Sequence, residues 1–209
     1  MTQHYTSAAT SINSVKLPAV YSRVSDSAYQ WADKLLDYGC GRYVTHLIKY
    51  TAQHSALPDD RYYHYCWWYG YDRFNRDAAD NAHALEGFSE SKNSLTRRMV
   101  FCSNVLNVID SDDVVKGIAG FLTACAISGA AVMVTVYEGD RSGIGRPTKA
   151  DCYQRNEKIA DYLKYFDKNF TIKKGVITNR PDFVKWINTI HNLQKFSTGC
   201  WKVCGKLFV

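Results

Sequence analysis

Residues 98–137 spell out a strand, a helix and a second strand in direct succession, and no other stretch constrains the fold as tightly. Arg98 to Val108 is a mostly apolar run that reads as a buried strand. Asp110 or Ser111 stands where a helix N-cap is wanted, and Asp113 suits the positively polarised first turn. Val114, Val115, Ile118, Phe121, Leu122 and Cys125 then recur at helical spacing. Gly129 to Tyr137 is a short β-branched run. Gly117 to Tyr137 carries no charge and is long enough to cross a bilayer. Ser128-Gly129 breaks it into two halves of different period, which predicts helix, turn and strand, and no membrane partner.

The remaining segments extend this alternation. Lys34 to Tyr38 predicts a strand running into Gly39-Cys40-Gly41, and Tyr43 to Thr51 a helix. Tyr62 to Tyr71 predicts an aromatic-rich strand that places Tyr63, Tyr65, Trp67 and Tyr69 on one face and Tyr62, His64, Cys66 and Trp68 on the other. Phe74 to Asn93 is ambiguous, with Ala78, Ala79, Ala82 and Leu85 suggesting a helix that ends at Gly87. Gly139 to Lys149 reads as a loop, Asp151 to Lys168 as a helix and Phe170 to Thr178 as a strand. Asp182 to His191 reads as a short helix and Cys200 to Val209 as the last strand. Strands alternating with helices predict an α/β fold: a doubly wound, Rossmann-like, mostly parallel sheet of about seven strands, the last one antiparallel. The expected organisation is an N-terminal arm over residues 1–30 and one domain over 31–209.

The net charge of +6 is unevenly spread. Residues 1–140 hold 12 Lys/Arg against 15 Asp/Glu, a net −3, and residues 141–209 hold 14 against 5, a net +9. Tyr153, Tyr162, Tyr165, Phe166 and Trp186 are interleaved with these cations. That composition suits a nucleic acid or another anionic substrate. The alternative is a solvated basic face over core aromatics, since Ile159, Tyr162, Leu163 and Phe166 form one helical stripe. The 7 Cys contain no Cys-x-x-Cys pair, the 6 His show no ligand spacing, and Met1 to Thr10 lacks an apolar run. Reduced thiols, no metal and a cytoplasmic location are therefore expected.

The most informative local pattern is Leu35-Leu36-Asp37-Tyr38-Gly39-Cys40-Gly41. An apolar strand delivers a carboxylate and two glycines to a helix start, and residues without Cβ let a ligand approach the backbone. No third glycine completes a dinucleotide fingerprint at this spacing, and no P-loop lysine follows. Tyr69-Gly70-Tyr71-Asp72 closes the next strand with an acid placed to accept from a ribose diol. Its alternative role is a surface pair with Arg73 or Arg76. In Phe101-Cys102-Ser103-Asn104-Val105, a buried strand ends in small polar groups.

Together these three segments resemble a class I S-adenosylmethionine-dependent methyltransferase over about residues 33–209. Asp37 to Gly41 is similar to the family's glycine-rich first motif, Asp72 to its ribose-binding acid, and Ser103 to Asn107 to the segment that meets the methionine end of the cofactor. Tyr43 stands where many members have a third glycine. Cys102 to Ile109 also resembles a stretch of methyltransferases found beside DNA phosphorothioation systems. The resemblance implies S-adenosyl-L-methionine as cofactor, held by Asp37, Tyr38, Gly39, Cys40, Gly41, Asp72, Arg73, Ser103, Asn104 and Val105. It implies in-line methyl transfer to an N or O nucleophile, with the protein positioning reactants and excluding water. No base is assigned: Asn104-Val105-Leu106-Asn107 is not the Asn/Asp-Pro-Pro-Tyr signature of amino-group DNA methyltransferases, and no Pro-Cys dipeptide occurs. The segment after the fifth strand faces substrate in this family, which points to Glu138, Asp140, Arg146 and Tyr153. Two alternatives stand beside an active methyltransferase: a catalytically silent or regulatory S-adenosylmethionine-binding relative, and a different α/β nucleotide-binding enzyme.

Overall fold

A computed structural model of the chain describes residues 31–41, 66–90, 95–149 and 152–184. Its centre is a six-stranded sheet. The strands are β1 (Lys34–Tyr38), β2 (Trp67–Tyr71), β3 (Arg98–Ser103), β4 (Ala131–Thr135), β7 (Thr171–Lys173) and β8 (Val176–Thr178). They lie in the order β2-β1-β3-β4-β8-β7. The first four pair in parallel, and β8 runs antiparallel to both β4 and β7. A two-stranded ribbon of β5 (Arg146–Lys149) and β6 (Cys152–Gln154) stands apart from the sheet.

Period-two alternation divides the core. Leu36, Val100, Cys102, Val132 and Val134 pack with Phe88 of helix α1 (Ala78–Ser89) and with Val115, Leu122 and Cys125 of helix α2 (Asp112–Ile127). Leu35, Met99, Phe101 and Met133 point to the other face, against Ala32, Phe183 and Val184. Apolar residues on both sides of each central strand are what a sheet covered on both faces requires. Helices α1 and α2 lie on the Leu36 side, and the helical residues 181–184 bring Phe183 and Val184 to the other. The described residues thus form a mixed α/β fold on a mostly parallel sheet.

The caps are largely those written in the sequence. Ser111 caps α2 by accepting from the Val114 amide, with Asp112 and Asp113 in the first turn. Asp77 caps α1 through the Asp80 amide at 2.7 Å. The ambiguous segment thus contains a helix, α1, and it continues through Gly87. A Cβ there would stand 2.4 Å from the Tyr69 ring, so the missing side chain admits the strand aromatic rather than ending the helix. Tyr69 packs into the core on one face of β2 and Trp68 and Cys66 on the other, while Trp67 is exposed.

Several expectations are corrected, among them the loop over Gly139 to Lys149, which ends in strand β5 (Arg146–Lys149). Strand β3 stops at Ser103, because Asn104 takes a left-handed conformation (φ 55°), and Leu106–Val108 is a 3₁₀ turn. The helix expected over 151–168 is replaced by β6, a polar connection and a 3₁₀ helix at Ile159–Tyr165. Asn156 (φ 56°) breaks helical continuity, although the apolar stripe of Ile159, Tyr162, Leu163 and Phe166 does face the core. The strand expected over Phe170 to Thr178 is a hairpin, β7 and β8. Lys174 (φ 49°) and Gly175 (φ 73°) form its two-residue turn, the geometry that matches strand twist. The antiparallel strand of the described sheet is therefore β8. The segments 1–30, Tyr43–Thr51 and Cys200–Val209 lie outside the described residues, as does most of Asp182–His191. No helix among the described residues is long and apolar enough to cross a membrane.

Candidate functional site

Strand order reverses around β1: β2 lies on one side and β3 on the other. Open α/β sheets bind ligands outside the carboxyl ends of strands at such a switch. The segments Asp37–Gly41, Tyr71–Arg73 and Ser103–Val105 all follow or close these three strands, so the fold brings the sequence-predicted residues to one edge.

Their contacts are specific. The amides of Gly39 and Cys40 both donate to the Tyr71 carbonyl, at 2.7 and 3.1 Å. The Gly41 amide donates to Asp72 Oδ2 at 2.8 Å. Gly39 (φ 88°) and Gly41 (φ 66°) are both left-handed, which explains the glycines at these positions. Asp72 is buried, and its Oδ1 accepts from the amides of Phe74 and Asn75 at 2.9 Å each. The Asp72 backbone is held in turn by Asn81 of α1. Asp72 thus clamps the glycine loop to the turn after β2, rather than lying on the surface paired with Arg73 or Arg76. The exposed Arg73 guanidinium stacks over the Phe74 ring at 5.8 Å.

On the other side of β1, a Cβ built on Gly39 would stand 2.2 Å from Val105 Cγ2. The open flank of this glycine is therefore occupied by the Val105 side chain. Ser103 Oγ accepts from Thr135 Oγ1 at 3.0 Å, and the Asn104 amide donates to the Thr135 carbonyl at 2.9 Å. Tyr38 stacks on Tyr71 (4.6 Å between ring centroids, 18° between planes) and meets Phe121 at 5.1 Å. Burial raises its phenol above the usual range. Asp37 is only 1% exposed. Burial, and then the Asp37 charge, push the thiols of Cys40 and Cys102 well above the ordinary thiol range. These cysteines are neutral thiols packed as small hydrophobes, not thiolate nucleophiles.

The expected substrate residues lie together beyond β4. Glu138 accepts from the Ile159 amide at 2.8 Å and pairs with Arg141 at 2.6 Å. Asp140 pairs with Arg146 at 3.2 Å and accepts from the Ser142 amide at 3.0 Å. A Cβ on Gly145 would fall 1.7 Å from the Tyr153 hydroxyl, so that ring is packed against the loop backbone. The carboxylates here hold the loop together, and both arginines are already paired.

A network beneath this loop escaped sequence reasoning. Arg155 donates from Nη1 to the Ile109 carbonyl at 2.9 Å and from Nε to Glu157 at 3.1 Å, and it pairs through Nη2 with Asp112. Tyr165 donates to the same Asp112 oxygen at 2.9 Å. Asn107 and Gln154, both buried, bond to each other at 3.2 Å. Only the acids at the start of α2 hinted at this arrangement. Among the described residues, no group of three His, Cys, Asp or Glu is placed to hold a metal ion.

This loop region should respond to acid. Hydrogen bonds from Arg155, then Tyr165, hold the Asp112 carboxyl below its ordinary range. The Ile159 amide does so for Glu138, and the Ser142 hydroxyl and amide for Asp140. A carboxyl pKa depressed on folding contributes stability above its unfolded value, about 4. That contribution is lost as pH falls through the unfolded value toward the folded one. Melting temperature is therefore expected to hold from pH 7 to 5 and to fall between pH 4.5 and 3. A melting temperature that stays flat to pH 3 would contradict these pairings.

No family model, no curated protein and no solved structure matches this chain in comparison searches.

Proposed function

We propose that this protein is an S-adenosylmethionine-dependent methyltransferase of the doubly wound class. The observation that carries the proposal is the meeting of Gly39–Gly41, Asp72 and Ser103–Val105 at the carboxyl ends of adjacent parallel strands, astride the reversal of strand order. The antiparallel β8, inserted between β4 and β7, supports the same reading.

The residues fit such a cofactor at one point directly and at another after one displacement. Among the described residues Asp72 Oδ2 accepts from the Gly41 amide, and a carboxylate oxygen retains acceptor capacity for a ribose hydroxyl. At Gly39 the Val105 side chain must turn aside. Tyr38, Cys40, Arg73, Ser103 and Asn104 complete the rim. The bound cofactor would supply a methyl group made electrophilic by a sulfonium. The chain's own part is to orient the acceptor in line and keep water away. A nucleic acid or other anion as substrate is supported by the exposed Lys158, Lys164, Lys168, Lys173 and Lys174.

A second reading is a catalytically silent relative that binds the cofactor or acts as a regulator. The Gly39–Val105 contact favours it. Calorimetry with S-adenosylmethionine and NAD, with far-UV dichroism as the fold control, tests both readings. Wild-type protein should bind the former only, and Asp37→Asn should weaken that binding about tenfold or more, the loss of one charge-assisted contact. Binding of NAD alone, or of neither compound, would overturn the proposal. Binding without transfer of labelled methyl to any fraction of a cell extract would select the silent relative.

A further inference from the structure

Asn107 is 2% exposed and lies just past the carboxyl end of β3. Its side chain ends a relay of two amides whose direction is fixed. At the far end stands the Tyr137 carbonyl, which can only accept, so Gln154 must turn Nε2 toward it (2.9 Å). Gln154 Oε1 then faces Asn107 and can only accept, so Asn107 must present Nδ2 to it (3.2 Å). That leaves Asn107 Oδ1, a buried acceptor with no hydrogen-bond partner. A buried carbonyl oxygen left unpaired costs about 1–3 kcal/mol, which a donor arriving there would recover.

We infer that Asn107 Oδ1 receives an N–H of the substrate, and that the methyl acceptor is a neutral nitrogen bearing hydrogen. This rests on the methyltransferase reading above. An amide oxygen carries no net charge, so it suits a neutral amino group better than an alkylammonium. A hydroxyl would need a base to remove its proton, whereas a neutral amine attacks through its lone pair without one. The carboxylates joined to this network are engaged: Asp112 and Glu157 by Arg155, and Glu138 by Arg141. In the step, the nitrogen lone pair forms the new N–C bond. The C–S bond breaks with its electrons passing to sulfur, and the extra proton on nitrogen leaves to water. Asn107 holds the remaining N–H and thereby aims the lone pair.

Two measurements test the inference. In Asn107→Asp, a protonated acid can still donate to Gln154 Oε1, but an ionised one faces oxygen against oxygen. The variant's stability should therefore fall as pH rises from 5 to 8 while the wild type stays level. An equally stable variant at both pH values would mean the relay runs the other way and would overturn the inference. Separately, wild-type protein is incubated with methyl-labelled S-adenosylmethionine and a whole-cell extract, and the labelled products are hydrolysed and separated. N-methyl products are expected. Asn107→Leu should transfer about tenfold to a hundredfold more slowly with unchanged cofactor affinity by calorimetry. Label in O-, S- or C-methyl products, or undiminished transfer by Asn107→Leu, would overturn this inference and leave the proposed function standing. A wild-type chain that binds no S-adenosylmethionine would overturn both.

Discussion

Replacing Arg155 with methionine is expected to lower stability by about 3 kcal/mol, the lower end for breaking a buried pair from one side. The Arg155 side chain is 8% exposed and ties three segments together: the Ile109 carbonyl, Asp112 at the head of α2, and Glu157. Methionine fills much of the volume but leaves a carbonyl and a mostly buried Glu157 without their donor. Asp112 is half exposed and regains water, which keeps the loss at the low end. At this chain length, about 3 kcal/mol lowers the melting temperature by roughly 6–12 °C. Arg155→Lys should recover only part, because one ammonium cannot reproduce the planar fork. In Arg155→Met the Asp112 carboxyl should also return toward its ordinary range, since Arg155 is the main cause of its depression. A melting temperature within 2 °C of wild type would show that the network contributes little.

Gly39→Ala is the second large effect, for two separable reasons. A residue at φ 88° with a Cβ costs about 1–2 kcal/mol in backbone strain. The added carbon would also meet Val105 Cγ2 at 2.2 Å, an overpacking cost of about 1–3 kcal/mol. Together they predict a loss of about 3 kcal/mol. The double variant Gly39→Ala with Val105→Ala should recover the second part and not the first. Val105→Ala alone should strengthen S-adenosylmethionine binding, because it clears the flank of Gly39 without touching the glycine's backbone. Urea denaturation of the three variants, with calorimetry on Val105→Ala, measures each part. Equal losses in the single and double glycine variants would show that Val105 yields freely.

Much of the sheet was legible because its strands are apolar on both faces. Leu35-Leu36, Met99 to Cys102 and Ala131 to Val134 could hardly be anything else, and Ser111 marks the start of α2 plainly. The errors fall where backbone conformation departs from what the side chains suggest. Lys174 in a left-handed turn hides a hairpin inside an apparent strand. Asn156 does the same to an apparent helix, although the buried stripe behind it was read correctly. At the candidate site, the carboxylate and glycines that end β1 were legible, as was the acid after β2. Their contacts were not: nothing local announces that Asp72 holds the glycine loop, or that Val105 lies against Gly39. The Asn107–Gln154 bond joins residues 47 apart, and Arg155–Asp112 joins residues 43 apart. Such pairings are visible only once the chain is folded.

Strand β1 lies between β2 and β3, and both of these neighbours come later in the chain. As the chain leaves the ribosome, Leu35 and Leu36 emerge long before Met99 and Val100 exist to cover them. Closing a loop of some sixty residues must precede the pairing that rewards it, a topology that slows folding and prolongs the exposure of sticky intermediates. Production at low temperature or with added chaperone should therefore raise the soluble yield of this protein more than that of a helical bundle of equal length.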